Sequence, residues 1–153
     1  MSPTTLVTRG TPSSRARVGC DVQAVAAVEA AVRSFGQRYL DRVYTAAEQA
    51  ACRRGGPTEA TSRLSAESLS ARFAAKEAVL KLLGSADGVD LREVEVIGTG
   101  GRPGLRLHGS AARLAERRGA GEIDISLSHD GGMAFAVAAC VEATGTHHGG
   151  EAR

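Results

Sequence analysis

Three short stretches of the chain carry residue types that could do chemistry. The longest is Arg72-Phe73-Ala74-Ala75-Lys76-Glu77-Ala78-Val79-Leu80-Lys81, inside a helical run from about Ser65 to Leu83. Leu69, Phe73, Lys76, Leu80 and Leu83 recur at four- and three-residue steps, which is one helical stripe. Such a stripe should be apolar, yet Lys76 lies in it and Glu77 beside it. Glu77 and Lys81 are one turn apart, and small Ala74 and Ala78 leave room next to the carboxylate. A charge that close to a core must be paired, bound to metal or turned to water. The plain alternative is a solvated Glu-to-Lys pair worth about 0.2–0.5 kcal/mol.

The second stretch is Gly19-Cys20-Asp21, a carboxylate on a strand two residues after a glycine on the same face. Gly19 would let another group approach the backbone beside that carboxylate. A structural acceptor at a sheet edge is the alternative. The third is Ser126-Leu127-Ser128-His129-Asp130. Ile123, Ile125 and Leu127 face one way, His129 continues that phase, and Ser126 and Ser128 face the other. Hydroxyls and an imidazolium are good anion ligands, so this is a candidate phosphate cluster. A strand-end histidine bonded to backbone is the competing explanation. Gly98-Thr99-Gly100-Gly101 lacks the spacing of a phosphate loop and leads into no helix, so it is hairpin chemistry.

The elements that must position these residues follow from periodicity and punctuation. Val18 to Gln23 alternates as a strand, with Val18, Cys20 and Val22 on one side and Gly19, Asp21 and Gln23 on the other. Ala24 to Phe35 is helix, ended by Gly36, and Tyr39 to Val43 adds a turn. Thr45-Ala46-Ala47-Glu48 fits a capping box opening a further helix. Pro57 to Leu64 is a polar loop before the long helix, which Gly84 stops. Glu93 to Ile97 and Leu105 to Leu107 read as an antiparallel hairpin. Ser110 to Arg118 is helix, and Glu122 to His129 and Met133 to Val141 are strands joined at Asp130-Gly131-Gly132. The order is β-α-α-α-β-β-α-β-β, with no repeat. Residues 1–16 and 145–153 are expected as disordered tails around one domain at 17–144, and His147-His148 is given no metal role.

Composition narrows the function classes. The 153 residues suffice for one domain with a core. Aromatic content of 3% argues against base-stacking platforms, and a net charge of +2 is too small to argue for nucleic acid. No stretch approaches the ~20 apolar residues of a membrane helix, and the N-terminus shows no signal peptide. Cys20, Cys52 and Cys140 fit neither a zinc spacing nor a disulfide framework. They read as reduced core residues of a cytoplasmic protein.

In chain order the three stretches resemble the signatures of the holo-acyl-carrier-protein synthase type of 4′-phosphopantetheinyl transferase. Gly19-Cys20-Asp21 stands for the opening Gly-x-Asp. Phe73-Ala74-Ala75-Lys76-Glu77 with Lys81 stands for the central helix, and Ser126-Leu127-Ser128-His129 for the strand Ser-x-Ser-His. The resemblance runs from about Arg17 to Glu142. It implies an α+β, single-domain fold, a mostly antiparallel sheet packed on a long central helix. It implies transfer of the phosphopantetheine arm of coenzyme A to a serine of an acyl carrier protein, releasing adenosine 3′,5′-bisphosphate.

By the same resemblance Asp21 and Glu77 would bind Mg²⁺, a metal that needs only one or two protein carboxylates when a pyrophosphate brings its own oxygens. Lys81 would contact the phosphates. Lys76 would sit at the edge of the nucleotide pocket, and Ser128 and His129 near the nucleotide or its phosphates. The serine proton would go to Glu77 directly or through a metal-bound water, and the weak basicity of a metal-bound carboxylate favours the water. Longer relatives carry two copies of the fold with the site between them, so this single copy is expected as a homo-oligomer, the family's trimer.

Two positions depart from the pattern. Ala24 and Ala27 stand where the family commonly has an acidic and a basic residue. The first leaves the metal fewer supporting carboxylates; the second removes a usual contact to an acidic carrier. Arg33, Arg38 and Arg42 could replace that contact, or form an ordinary solvated surface. The change points to a specialised carrier, such as one of a polyketide pathway. A non-catalytic module holding coenzyme A or a carrier is the alternative, and a metal-dependent hydrolase ranks last.

Overall fold

The computed structural model describes residues 15–54, 63–84, 87–98 and 101–142. The expected C-terminal tail with His147-His148, nearly all of the N-terminal one, most of the Pro57 to Leu64 loop and Thr99-Gly100 lie outside the described residues.

The alternating opening segment forms β1 (Ala16–Ala24), which begins one residue before the expected domain start. Next come α1 (Val25–Phe35) and α2 (Gln37–Val43), separated by Gly36. α3 (Ala46–Ala51) opens with the expected capping box. The Thr45 hydroxyl accepts from the Glu48 N–H, and Glu48 Oε2 accepts from the Thr45 N–H at 2.8 Å. A two-residue strand, β2 (Arg53–Arg54), pairs with β3 (Arg63–Leu64), a pairing the sequence did not suggest.

The long helix is α4 (Ala66–Leu83), with the Ser65 hydroxyl accepting from the Ser68 N–H and Gly84 ending it. A 3₁₀ turn, Leu91–Glu93, leads into β4 (Val94–Ile97), which pairs antiparallel with β5 (Gly104–Leu107). Then follow α5 (Gly109–Arg117), β6 (Ala120–Asp130) and β7 (Met133–Glu142). β6 and β7 turn through Gly131-Gly132, whose φ of 54° and 79° suit a two-residue hairpin loop and few other residues. The fold is α+β, with antiparallel strands around a long central helix, as expected.

The main sheet has the order β1-β7-β6, antiparallel throughout. α4 lies on one face of it and also packs against α1 and β4. From Leu69 to Leu83 nearly every side chain of α4 is buried, and the accessible line is Phe73, Glu77 and Lys81, at four-residue steps. The expected apolar stripe is therefore better described by its complement: from Leu69 to Leu83 the helix is covered except along the one seam of Phe73, Glu77 and Lys81. A second core joins Val28, Leu40, Val43, Tyr44, Cys52 and Leu69, where the Tyr44 hydroxyl donates to the Leu69 carbonyl at 3.1 Å.

The sheet face turned away from α4 is open. Val18, Val22, Met133, Phe135 and Val141 are all exposed there. Cys20 lies in the same row set and is exposed, which corrects its expected core placement; Cys52 and Cys140 are buried as expected.

Candidate functional site

The site forms where α4 is pressed against β1. A Cβ at Gly19 would lie 2.1 Å from the Ala78 carbonyl oxygen and 2.6 Å from the Leu82 nitrogen. Only a glycine permits that approach. The register places Gly19, Ala138 and Ile125 in one cross-sheet row on the helix side. Asp21, Ala136 and Leu127 form the next row, and Gln23, Ala134 and His129 the one after.

Asp21 therefore reaches the open seam of α4. Lys81 Nζ donates to Asp21 Oδ1 at 2.7 Å, the Asp21 side chain being 16% exposed and that of Lys81 55%. The hydrogen bond to Asp21 holds the Lys81 ammonium above the usual lysine range. Glu77, one turn before Lys81, is half-buried. Burial first, and the negative charge of Asp21 second, push its carboxyl above the usual range, with Lys81 pulling the other way. Two carboxylates from distant parts of the sequence thus act on one another across the helix–sheet seam, with Lys81 bonded to Asp21.

That donor set suits a small hard divalent cation. Carboxylate oxygens are the ligand type Mg²⁺ takes, and the mutual repulsion of Asp21 and Glu77 is what a cation between them would relieve. Among the described residues no group of three or more His, Cys, Asp or Glu side chains gathers into a metal cage.

The other expected site residues divide. His129 is exposed and shares the sheet face of Asp21, in the row of Gln23 and Ala134, next to the row that holds Asp21. Ser128 pairs with Phe135 and turns to the open face. Lys76 is a correction. Its side chain is 0% exposed, and Nζ donates to Glu48 Oε2 at 2.9 Å, the Leu91 carbonyl at 3.0 Å and the Val94 carbonyl at 2.6 Å. All three ammonium protons are used inside the protein, so it forms no pocket edge.

Sequence reasoning missed Glu48 as anything beyond a cap. It also accepts from the buried Val96 N–H at 3.0 Å. Glu95, within the expected strand Glu93 to Ile97, is buried and accepts from Thr45, Arg106 and His108. Arg38 and Arg42 line a groove with Asp41, Asp90 and Arg92, between α2 and the 3₁₀ turn. Arg33 stands near Glu29 at 3.9 Å. Ala24 is half-buried at the end of β1, and Ala27 is exposed in the first turn of α1.

Known proteins resemble this chain in sequence and fold. The family model described as the 4′-phosphopantetheinyl transferase superfamily matches residues 17–140. A holo-[acyl-carrier-protein] synthase of Desulforudis audaxviator is 42% identical over 126 residues, covering 81% of this chain and 91% of that protein. One from Halorhodospira halophila is 40% identical over 133 residues, covering 85% and 98%. Among solved structures, an ACPS–CoA complex from Chronobacterium ammoniagenes superposes with a TM-score of 0.63 at 30% identity, covering 82% of this chain and 96% of that one. The chain belongs to the 4′-phosphopantetheinyl transferase superfamily.

Proposed function

We infer that the protein is a holo-[acyl-carrier-protein] synthase. It transfers the 4′-phosphopantetheine group of coenzyme A to a serine of an apo acyl carrier protein and releases adenosine 3′,5′-bisphosphate. The observation that carries the reading is the Asp21, Lys81 and Glu77 seam, assembled by the contact of Gly19 with Ala78 and Leu82.

In the reaction the serine oxygen bonds to the β-phosphorus of coenzyme A, and the bond from that phosphorus to the bridging oxygen breaks. The electron pair leaves on the bisphosphate. Asp21 and Glu77 would hold Mg²⁺, which when bound there supplies charge neutralisation for the pyrophosphate. The Lys81 amine, already at the seam, orients a phosphate oxygen as a point charge. Glu77 receives the serine proton, directly or through a metal-bound water, and the weak basicity of a metal-bound carboxylate favours the water. His129 stands further along the same face, within the region a nucleotide would cover.

The protein works as a homo-oligomer, the family's trimer, with sites between copies. The open face of Val18, Val22, Phe135 and Val141 supports this, since contiguous exposed apolar surface marks interaction sites, and Ser128 lies on it. Replacing Val22 and Phe135 together by Asp is expected to yield a monomer by light scattering and to abolish transfer. An active wild-type monomer would remove this part.

Arg38 and Arg42 form the cationic edge that receives an acidic carrier. Charge reversal of both to Glu should raise KM for the carrier about tenfold or more and leave KM for coenzyme A unchanged, as steady-state kinetics would read. Three free cysteines suit a reducing compartment, and no helix among the described residues is long and apolar enough to cross a membrane. We place the enzyme in the cytoplasm.

The test of function is direct. The protein is incubated with coenzyme A, Mg²⁺ and a panel of apo carriers from fatty-acid and polyketide pathways, and the carriers are weighed by mass spectrometry. One phosphopantetheine gained on a serine supports the reading. Tight coenzyme A binding with no gain across the panel identifies a binding module instead.

A further inference from the structure

Where α4 meets its neighbours, much of its surface is alanine: Ala71, Ala74, Ala75 and Ala78 are all buried. These small, equal side chains set the rotation of the helix less firmly than its buried Leu69, Val79, Leu80, Leu82 and Leu83 do. A slip of one residue moves a helix about 1.5 Å and rotates each side chain by about 100°. Something must therefore specify which face of α4 meets Asp21.

We infer that the buried Lys76–Glu48 pair is the register lock of α4, fixing its height and rotation so that Glu77 and Lys81 face Asp21. Lys76 ties α4 to Glu48 at the start of α3, to the Leu91 carbonyl in the 3₁₀ turn and to the Val94 carbonyl of β4. Glu48 is 1% exposed and holds the Thr45 and Val96 N–H groups as well. The pair thus joins four elements, α3, α4, the 3₁₀ turn and β4, through directional bonds, at the residue immediately before Glu77. Buried ion pairs contribute little to net stability compared with apolar replacements, and register specification is their best-attested use. Lys76 touches no substrate; it is a positioning residue, and its role rests on the reading of Asp21 and Glu77 given above.

The test is the neutral double variant K76M/E48Q, which leaves no buried unpaired charge. It is expected to fold, with the circular dichroism of the wild type. Its affinity for Mn²⁺ in the presence of saturating coenzyme A, read from the free-ion signal in electron paramagnetic resonance, should fall about tenfold or more. Its kcat should fall about 10²-fold, the scale of an ångström-level misplacement, with KM for the carrier unchanged. A pair that served fold stability alone would shift the melting temperature and leave Mn²⁺ affinity and kcat intact, and that result overturns the inference. An unfolded double variant also overturns it, because a register lock is dispensable for folding. The single variant K76R, which keeps the charge but lengthens the tie, should fold and show the same weakened Mn²⁺ binding; wild-type values there count equally against the lock. A wild-type protein that holds no Mn²⁺ beside coenzyme A defeats the reading of the site itself, a result distinguishable from all of these.

Discussion

Glu77→Gln is expected to cut the transfer rate by about 10³-fold or more while raising the melting temperature at neutral pH. The rate loss follows from removing a metal ligand and proton acceptor at once, each of which commonly contributes 10²-fold or more. The stability gain follows from linkage. Burial and Asp21 hold the Glu77 carboxyl above its ordinary value in the folded protein. The folded state then binds a proton over a pH range in which the unfolded chain has already lost it. Stability from this group is fully present below the ordinary glutamate pKa, about 4.3, and is lost as pH rises through the raised folded value. At neutral pH the ionised Glu77 is a net cost, which the amide removes. The melting-temperature difference should therefore be largest at neutral pH and close on acidification below the ordinary glutamate range. A variant of near-normal rate, or one less stable than wild type at neutral pH, would contradict the arrangement.

Gly19→Ala is the second large effect. The added methyl would sit 2.1 Å from the Ala78 oxygen and 2.6 Å from the Leu82 nitrogen, both of them backbone. Neither can rotate aside, so β1 and α4 must separate. The cost should lie at or beyond the upper end of the ~1–3 kcal/mol typical of overpacking. That corresponds to a fall in melting temperature of roughly 10 °C for a domain of this size. Separation also parts Asp21 from Lys81 and Glu77, so kcat should drop further than instability alone explains. Gly101→Ala is the control, since a methyl there meets nothing within 4 Å and the backbone needs no unusual φ. Thermal melts and initial rates on the two variants decide the matter; equal behaviour would remove the close approach as the organising contact.

Local signals made much of the fold legible. The Thr45–Glu48 box, the Ser65 to Gly84 limits of the long helix and the Gly131-Gly132 turn are written in neighbouring residues, and each forms as read. What escaped is long-range. Alternation along β1 says that Val18, Cys20 and Val22 share a face, but not which face is covered. Here the helix needs the bare backbone of Gly19, so the glycine and aspartate side turns inward and the valines turn out. Lys76 was legible as an anomaly in an apolar stripe, yet its partner lies 28 residues earlier, beyond any helical period. Seen beside Glu77 it suggests a ligand contact; paired with Glu48 it is a structural tie. The burial of Glu95 was not legible either, since its partners Thr45 and His108 stand at the N-terminal caps of α3 and α5.

Transfer at this seam turns on one ion shared by Asp21 and Glu77. Crystals of the protein with coenzyme A, soaked in Mn²⁺ and measured at the manganese edge, give the most direct reading. The expected result is one anomalous peak at first-coordination distance, about 2.1 Å, from a carboxylate oxygen of both Asp21 and Glu77, with Lys81 turned from Asp21 toward a phosphate. A peak that touches one carboxylate only, or none while coenzyme A is bound, contradicts it.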